Sequence, residues 1–354
     1  MYLLAFESSC DETSVAVLDN NMVLSNIVST QLFHAKYGGV IPELAARSHL
    51  SMIDELTKEA LIKADISIGD IDLFAVTTEP GLVGALLVGS NYAKGLALKY
   101  NKPIIPINHI QGHLYSGHLQ DESLGFPCIS LVVSGGHTTI FKVDGFNEYS
   151  ILGSTIDDAA GEAFDKVAKM LGLPYPGGAE VDKLAKLGNA DKFDFPKSFY
   201  HLDNYNFSFS GLKTSVRYFL QKNYPDKNYD NDINDICASV QKAIVDVLVH
   251  KTIKACKNYN IKSISISGGV SANSKLREEF QSKADQNNFK LVIPDITYCI
   301  DNAAMIGFIA NEKFKENYKE IGNSTKNSTN NSTKIQSDRF KFTVSSNSIR
   351  AINS

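Results

Sequence analysis

Two imidazoles, His109 and His113, stand four residues apart in His109-Ile110-Gln111-Gly112-His113. That spacing puts both rings on one helical face, where they can share a metal ion. Asp301 lies between a strand-like Tyr298-Cys299-Ile300 and a helical pattern that begins at Asn302. It is the carboxylate that would complete a two-histidine, one-carboxylate set with open positions, which suits Fe(II), with zinc as the alternative. Each residue also has a plainer role open to it: the histidines can be unrelated, and Asp301 sits where a helix N-cap belongs. Zinc proteases use H-E-x-x-H with the glutamate as base, but here Ile110 takes that place, so the hydrolytic base is missing.

Glycine-rich loops form the second group. Val132-Val133-Ser134-Gly135-Gly136-His137 and Ser267-Gly268-Gly269-Val270 place small residues just past apolar runs, where backbone N–H groups can approach phosphate oxygens. Neither is followed by the Lys-Ser/Thr of a Walker loop, and one Gly-Gly after a strand is more often a turn. Two such loops, with the polar Glu7–Thr13 segment, favour a nucleotide cleft. Asp11, Glu12, Glu162, Asp165, Lys166 and Asp182 fall in loops and helix starts, where spacing alone assigns them no ligand. Asp157, Asp158 and Glu162 also suit the positive end of a helix.

The elements that must position these residues alternate. Leu3–Phe6 and Val15–Leu18 flank the polar Glu7–Thr13 loop and predict a hairpin, and 129–133 with 138–143 predict a second one. A strand over 72–78 leads through Pro80 and Gly81 into an apolar helix, read as buried all round, to about Leu98; another strand covers 263–267. Helical spacing fills 41–64, 159–171, 232–259, 274–284 and 302–314. Strands alternating with helices make the class α/β, and the two hairpin-and-loop units suggest two related lobes facing each other across a cleft. From Lys319 the chain turns low in complexity, with Asn-Ser-Thr at 323, 327 and 331, and is expected to be a flexible tail.

Length and charge bound the answer. The 354 residues allow about two domains. Formal net charge is −4, so no broad basic surface would hold a nucleic acid by phosphate contacts alone. Residues 319–354 carry six basic and two acidic side chains, which makes the tail a candidate for weak polyanion contact. Five scattered cysteines form no CxxC pair and point to a reducing compartment. The first residues do not read as a signal peptide, and the longest apolar stretch, 81–89, is too short to span a bilayer. A cytoplasmic protein is expected.

The ordered motifs Glu7–Ser14, Gly38–Arg47, Pro80–Gly89, Asn108–His113, Ser134–Thr138, Gly161–Lys166, Phe207–Thr214, Ser267–Asn273 and Tyr298–Ile306 resemble those of the bacterial TsaD family. The sequence departs mildly from that pattern at Gln111, often Glu in the family, and at Gly307, often Ala. The resemblance implies a two-lobed, actin-like (ASKHA) α/β fold with a ligand cleft between the lobes. It implies transfer of threonylcarbamoyl from threonylcarbamoyl-adenylate to N6 of adenosine 37 in tRNAs reading codons that begin with A, which forms t6A and releases AMP. Carried over by motif, His109, His113 and Asp301 resemble ligands of one Fe(II) per subunit. Val132, Val133, Ser134, Gly135 and Gly136 resemble the adenylate loop, and Asp165, Gly178, Asp182 and Asn273 the remaining substrate contacts. Asp11 and His137 are catalytic candidates by position.

The implied partners are tRNA, a catalytically silent actin-like paralogue and a small ATPase, with no membrane. The expected lobes are 1–108, joined by 297–318, and 109–296, with 319–354 as tail; the histidines and Asp301 would then come from opposite lobes. The alternative is an actin-like ATP hydrolase or kinase without a tRNA substrate, which would not need the metal set. A non-catalytic interaction module is disfavoured by the intact loops.

Overall fold

Strands covered on both faces read as unbroken apolar runs, and Leu3–Phe6 and Val15–Leu18 are all fully buried. They form β1 (Tyr2–Glu7) and β2 (Glu12–Asp19), antiparallel, with Glu7 opposite Ser14. With β3 (Met22–Thr30), β4 (Leu73–Glu79) and β5 (Ile104–Asn108) they make a sheet of order β3-β2-β1-β4-β5, in which β4 runs parallel to β1 and β5. Helix α1 (Pro42–Ala64) packs on β2 and β3, and α2 (Val83–Tyr100) on β4. The chain then passes from β5 into α3 (His109–Gln120), whose start is fixed by Asn108: its Oδ1 accepts from Ile110 N at 2.9 Å.

A second sheet has the order β10-β9-β6-β7-β8: β6 (Cys128–Val133), β7 (Thr138–Gly145), β8 (Glu148–Ser154), β9 (Ser263–Ser267) and β10 (Lys290–Val292). The hairpin β6–β7 is antiparallel and β9 is parallel to β6, with Ile129 opposite Ile264. Its helices are α4 (Ala160–Met170), α5 (Gly177–Ala185), α6 (Ser210–Asn223), α7 (Ile233–Tyr259), α8 (Ser274–Asn287) and the short α9 (Ile296–Cys299). A large core gathers Ile129, Leu131 and Ile266 of the sheet with Phe164, Phe207, Ile244 and Leu248. Finally α10 (Ala303–Ser324) returns to β1, β2 and β4.

This computed structural model describes residues 1–324 together with Phe342, Val344 and Ser345. Contacts divide it into one unit of Met1–Leu119 with the chain from Asp301 on, and a second of Gln120–Ile300. The sequence reading cut before His109; the structure keeps α3 with the first unit. The cause is local: a Cβ on Gly112 would stand 2.9 Å from Met305 Cγ and 3.0 Å from Ile306 Cδ1, so α3 and α10 are in direct contact there.

Three further expectations change. Helix α2 is not buried all round, because Val83, Leu87 and Leu98 are exposed while Ala85, Leu86, Gly89, Ser90, Ala93 and Ala97 face inward. Tyr298–Ile300 is not a strand: Tyr298 N and Cys299 N both donate to Asp295 O, which winds the segment into the turn α9. The tail expected from Lys319 begins as helix, since α10 runs to Ser324. Most of the rest lies outside the described residues, but Phe342 packs against the first unit's core. Lys94 Nζ lies 3.9 Å from the centroid of the Phe342 ring, and Ser345 N donates to Thr78 O at 3.0 Å. Among the described residues no helix is long and apolar enough to cross a membrane.

Candidate metal centre and substrate loops

Helix α3 presents His109 and His113 one turn apart, with ring centroids 4.7 Å from each other and planes at 87°. Asp301 Oδ1 lies 3.0 Å from His113 Nε2 and 3.5 Å from His109 Nε2. All three sit in the first unit, so the expectation that the carboxylate reaches the histidines from the other lobe is corrected. The plainer role of Asp301 is settled too: Asn302, not Asp301, caps α10, its Oδ1 accepting from Met305 N at 3.1 Å. That leaves the Asp301 carboxylate turned to the histidines.

The spacing fits a metal. Donors bonded at about 2.1 Å and at right angles stand about 3 Å apart, close to the separations seen, and one donor atom from each residue lies within 4.8 Å of the others. A bound histidine also needs its second nitrogen held, commonly by a carboxylate. Glu7, the last residue of β1, does this: its Oε2 accepts from His109 Nδ1 at 3.1 Å, so that Nε2, which faces Asp301, is the nitrogen that would give up its proton to an ion. The same carboxylate accepts from Ser9 N at 2.6 Å and Thr77 Oγ1 at 2.5 Å. His113 Nδ1 is buried and has no hydrogen-bond partner among the described residues.

The electrostatics ask for positive charge. Burial alone would lower the pKa of His109, yet Asp301 and Glu7 raise it to about 9. Burial likewise opposes ionisation of Glu7, but His109 outweighs it and its pKa is lowered. Glu12, half-buried beside Asp301, Asp11 and Glu7, is pushed up to about 10 by desolvation and by those carboxylates. A cation among the carboxylates Glu7, Glu12 and Asp301 would relieve their mutual repulsion.

The second unit holds the remaining candidates. The turn between β6 and β7 is closed by Ser134 N donating to His137 O at 2.8 Å and by His137 N donating to Ser134 Oγ at 3.2 Å. Space is open where a Cβ would stand on Gly135 and Gly136, so this backbone is approachable. Gly268 has φ +89° and its Cβ would fall 2.4 Å from Val133 O; only glycine lets the second loop lie against the first.

The carried-over side chains brace these loops. Asp165 Oδ1 accepts from Gly177 N at 2.8 Å and Gly178 N at 3.2 Å, and burial raises its pKa. Asp182 Oδ1 accepts from Ser274 Oγ at 2.8 Å. Asn273 caps α8 through Leu276 N and donates Nδ2 to buried Gln241 at 2.7 Å.

The structure thus joins His109, His113 and Asp301 in one cluster with Glu7 beside it. It places Asp11 in the same unit, and Val132–Gly136, His137, Asp165, Gly178, Asp182 and Asn273 in the other. Sequence reasoning missed the roles of Glu7 and Gln241, both polar residues in otherwise apolar surroundings.

A family model described as tRNA N6-adenosine threonylcarbamoyltransferase, TsaD, matches residues 22–308. Proteins of that name from Thermosipho africanus and Clostridium perfringens strain SM101 are 51% and 50% identical to this chain. The first match covers 89% of this chain and 95% of the relative, the second 87% and 91%. Among solved structures, the activator of 2-hydroxyisocaproyl-CoA dehydratase from Clostridium difficile, with bound ADPNP, is 14% identical. It superposes with TM-score 0.53 over 90% of this chain and 98% of its own. Full-length HypF in a phosphate- and nucleotide-bound form is also 14% identical, with TM-score 0.59 over 89% of this chain and 46% of its own. The two structural likenesses speak to the fold, which is the two-lobed, actin-like α/β type.

Proposed function

Since the chain belongs to the TsaD family of tRNA N6-adenosine threonylcarbamoyltransferases, we propose that it moves threonylcarbamoyl from threonylcarbamoyl-adenylate to N6 of adenosine 37 in tRNAs reading codons that begin with A. The observation that carries this reading is identity of about half along nine-tenths of both chains. The N6 lone pair attacks the carbamoyl carbon, the bond from that carbon to the phosphate oxygen breaks, and AMP leaves with its electron pair. N6 then loses a proton to a base, for which Asp11 and His137 are the candidates. The amine is a weak nucleophile, so orientation supplies much of the rate. The approachable backbone at Gly135 and Gly136 is suited to the donor's phosphate. Asp165, Asp182 and Asn273 hold the neighbouring helix starts in place.

His109, His113 and Asp301 are the residues that would hold one Fe(II), or zinc; their spacing and the Glu7 contact support this. When bound, the ion supplies a Lewis acid with open positions. The same reading makes the protein cytoplasmic and gives it tRNA, a silent actin-like paralogue and a small ATPase as partners. A net charge of −4 supports sharing the capture of tRNA with other subunits.

The test mixes pure protein, threonylcarbamoyl-adenylate and unmodified tRNA, with and without those partners, and measures modified adenosine and AMP by mass spectrometry. Formation of t6A with equal AMP is expected. ATP cleavage to ADP with no t6A under any condition would overturn the reading in favour of an actin-like hydrolase.

A further inference from the structure

The motif Gly38–Arg47 has no part in the site described so far, yet the segment around it holds three buried polar side chains: Gln31, His34 and His49. Their hydrogen bonds fall into two sets, one through His34 and Gln31 and one through His49. Ile41 N donates to His34 Nδ1 at 3.3 Å, so His34 carries its proton on Nε2 and donates to Gln31 Oε1 at 3.0 Å. Gln31 Nε2 donates to Ala45 O at 3.3 Å, and Gln31 N donates to Asp11 O at 3.0 Å. His49 Nε2 donates to Cys10 O at 3.0 Å, which leaves Nδ1 to accept from Thr13 Oγ1 at 2.7 Å. Burial lowers the pKa of His49, in keeping with a neutral ring whose Nδ1 accepts.

Both sets reach the turn that carries Cys10 and Asp11 and the start of β2 at Glu12 and Thr13. That turn is tied to the metal set on either side: Ser9 Oγ lies 3.2 Å from His109 Nδ1, and Ser14 Oγ accepts from Ala303 N, two residues past Asp301, at 2.9 Å. Between these ties Glu12 is crowded by the carboxyl groups of Asp301, Asp11 and Glu7, so the backbone that carries it must be held in place. Cys10 O and Thr13 Oγ1 are held by the His49 ring, and Asp11 O by the backbone N–H of Gln31, whose side chain is in turn fixed by His34.

We propose that His34, Gln31 and His49 form a positioning clamp that fixes the Cys10–Thr13 segment against the His109–His113–Asp301 centre, so that His49 acts on the transfer reaction without touching substrate. This rests on the transfer reaction stated above, and it gives the Gly38–Arg47 motif its role. Gly38 ends the turn bearing His34 in a left-handed conformation (φ +69°), and Pro42 starts the helix bearing His49.

The test uses the full-length protein with its metal and partners. His49→Phe fills the ring's place without either hydrogen bond. His49→Gln retains a donor within reach of Cys10 O, and Thr13→Val removes only the hydroxyl. Removing outer-shell support commonly costs 10–100-fold, so His49→Phe is expected to lower kcat about 30-fold with KM for tRNA within about twofold. It should also speed amide hydrogen exchange across residues 9–13 about tenfold while leaving β6 and β7 unchanged. His49→Gln should return kcat to within about threefold of the unaltered protein, and Thr13→Val should fall between the two. A side chain that merely fills space would give the opposite ranking, with His49→Phe better than His49→Gln; that ranking, or full kcat per folded molecule in both His49→Phe and Thr13→Val, overturns the clamp. Should the unaltered protein form no t6A, the proposed function falls, and exchange still decides the clamp: unaltered protection of residues 9–13 in His49→Phe and Thr13→Val refutes it.

Discussion

Glu7→Gln is the sharpest test of the metal centre, because the substitution is nearly isosteric and its effect follows from hydrogen-bond direction. Glu7 accepts three hydrogen bonds, from His109 Nδ1, Thr77 Oγ1 and Ser9 N, and donates none. A glutamine amide has one acceptor oxygen. With its NH2 at the Oε2 position it faces His109 Nδ1–H, so the imidazole must move its proton to Nε2, the nitrogen that would bind the ion. With its NH2 at the Oε1 position it faces Ser9 N at 2.6 Å, a donor against a donor in a buried place. Either way one buried donor loses its acceptor, at about 1–3 kcal/mol.

Lost outer-shell support weakens metal binding about 10–100-fold, or about 1.4–2.7 kcal/mol. Fe(II) affinity is measured anaerobically by competition with a chromophoric chelator, beside thermal unfolding of the metal-free protein. The reasoning requires the Kd to rise at least about tenfold while the metal-free protein still unfolds in one cooperative step. Unchanged Kd in Glu7→Gln would mean that the tautomer of His109 does not depend on Glu7, and the carboxylate would then be only a brace for Ser9 and Thr77.

Removing a ligand outright goes further: His113→Ala and Asp301→Asn should each abolish stoichiometric iron in metal analysis, whereas His118→Gln, at a buried position in the next turn of the helix, should retain it. Phe342→Ala should lower the unfolding midpoint of the first unit by a few degrees, because the ring packs on its core and under Lys94; an unchanged midpoint would refute the docking. Lys251 is fully buried in α7 and donates to Asn204 O at 2.8 Å, and burial, aided by Lys254, lowers its pKa to about 8. The unfolded chain therefore binds more protons between pH 8 and its ordinary 10.5, so the burial penalty is full below pH 8 and fades as pH rises. The stability of Lys251→Met relative to the unaltered protein, measured in urea, should become less favourable by pH 10 than at pH 7; a difference independent of pH would show that Lys251 is not desolvated.

What the sequence disclosed, and what it withheld, follows from the range of each interaction. β1, β2, α1, α4, α7 and α8 were legible because burial imprints a period on neighbouring residues. Helix α2 misled because glycine and alanine fill its inward face while Val83, Leu87 and Leu98 face out, so mean apolarity overstated its burial. β5 was hidden by Pro106 in a five-residue strand, and β10 by having only three residues. Asp301 was undecidable from position, since it and Asn302 both suit a helix start, and only the Asn302–Met305 contact separates them.

Glu7 was missed for another reason: its partner His109 lies 102 residues away, and no local period reports such a contact. A signal was nonetheless present. Glu7 ends a strand whose preceding positions, Leu3 to Phe6, are all apolar, and a carboxylate continuing such a strand cannot be buried unpaired. Two histidines already suspected of binding a metal are the partners that would both neutralise it and use it, because the carboxylate that holds one imidazole nitrogen frees the other for the ion. A buried acid at the end of an apolar strand, in a chain that also shows a His-x-x-x-His pair, is therefore reason to look for the outer shell of the metal site, and Glu7 is where this chain puts it.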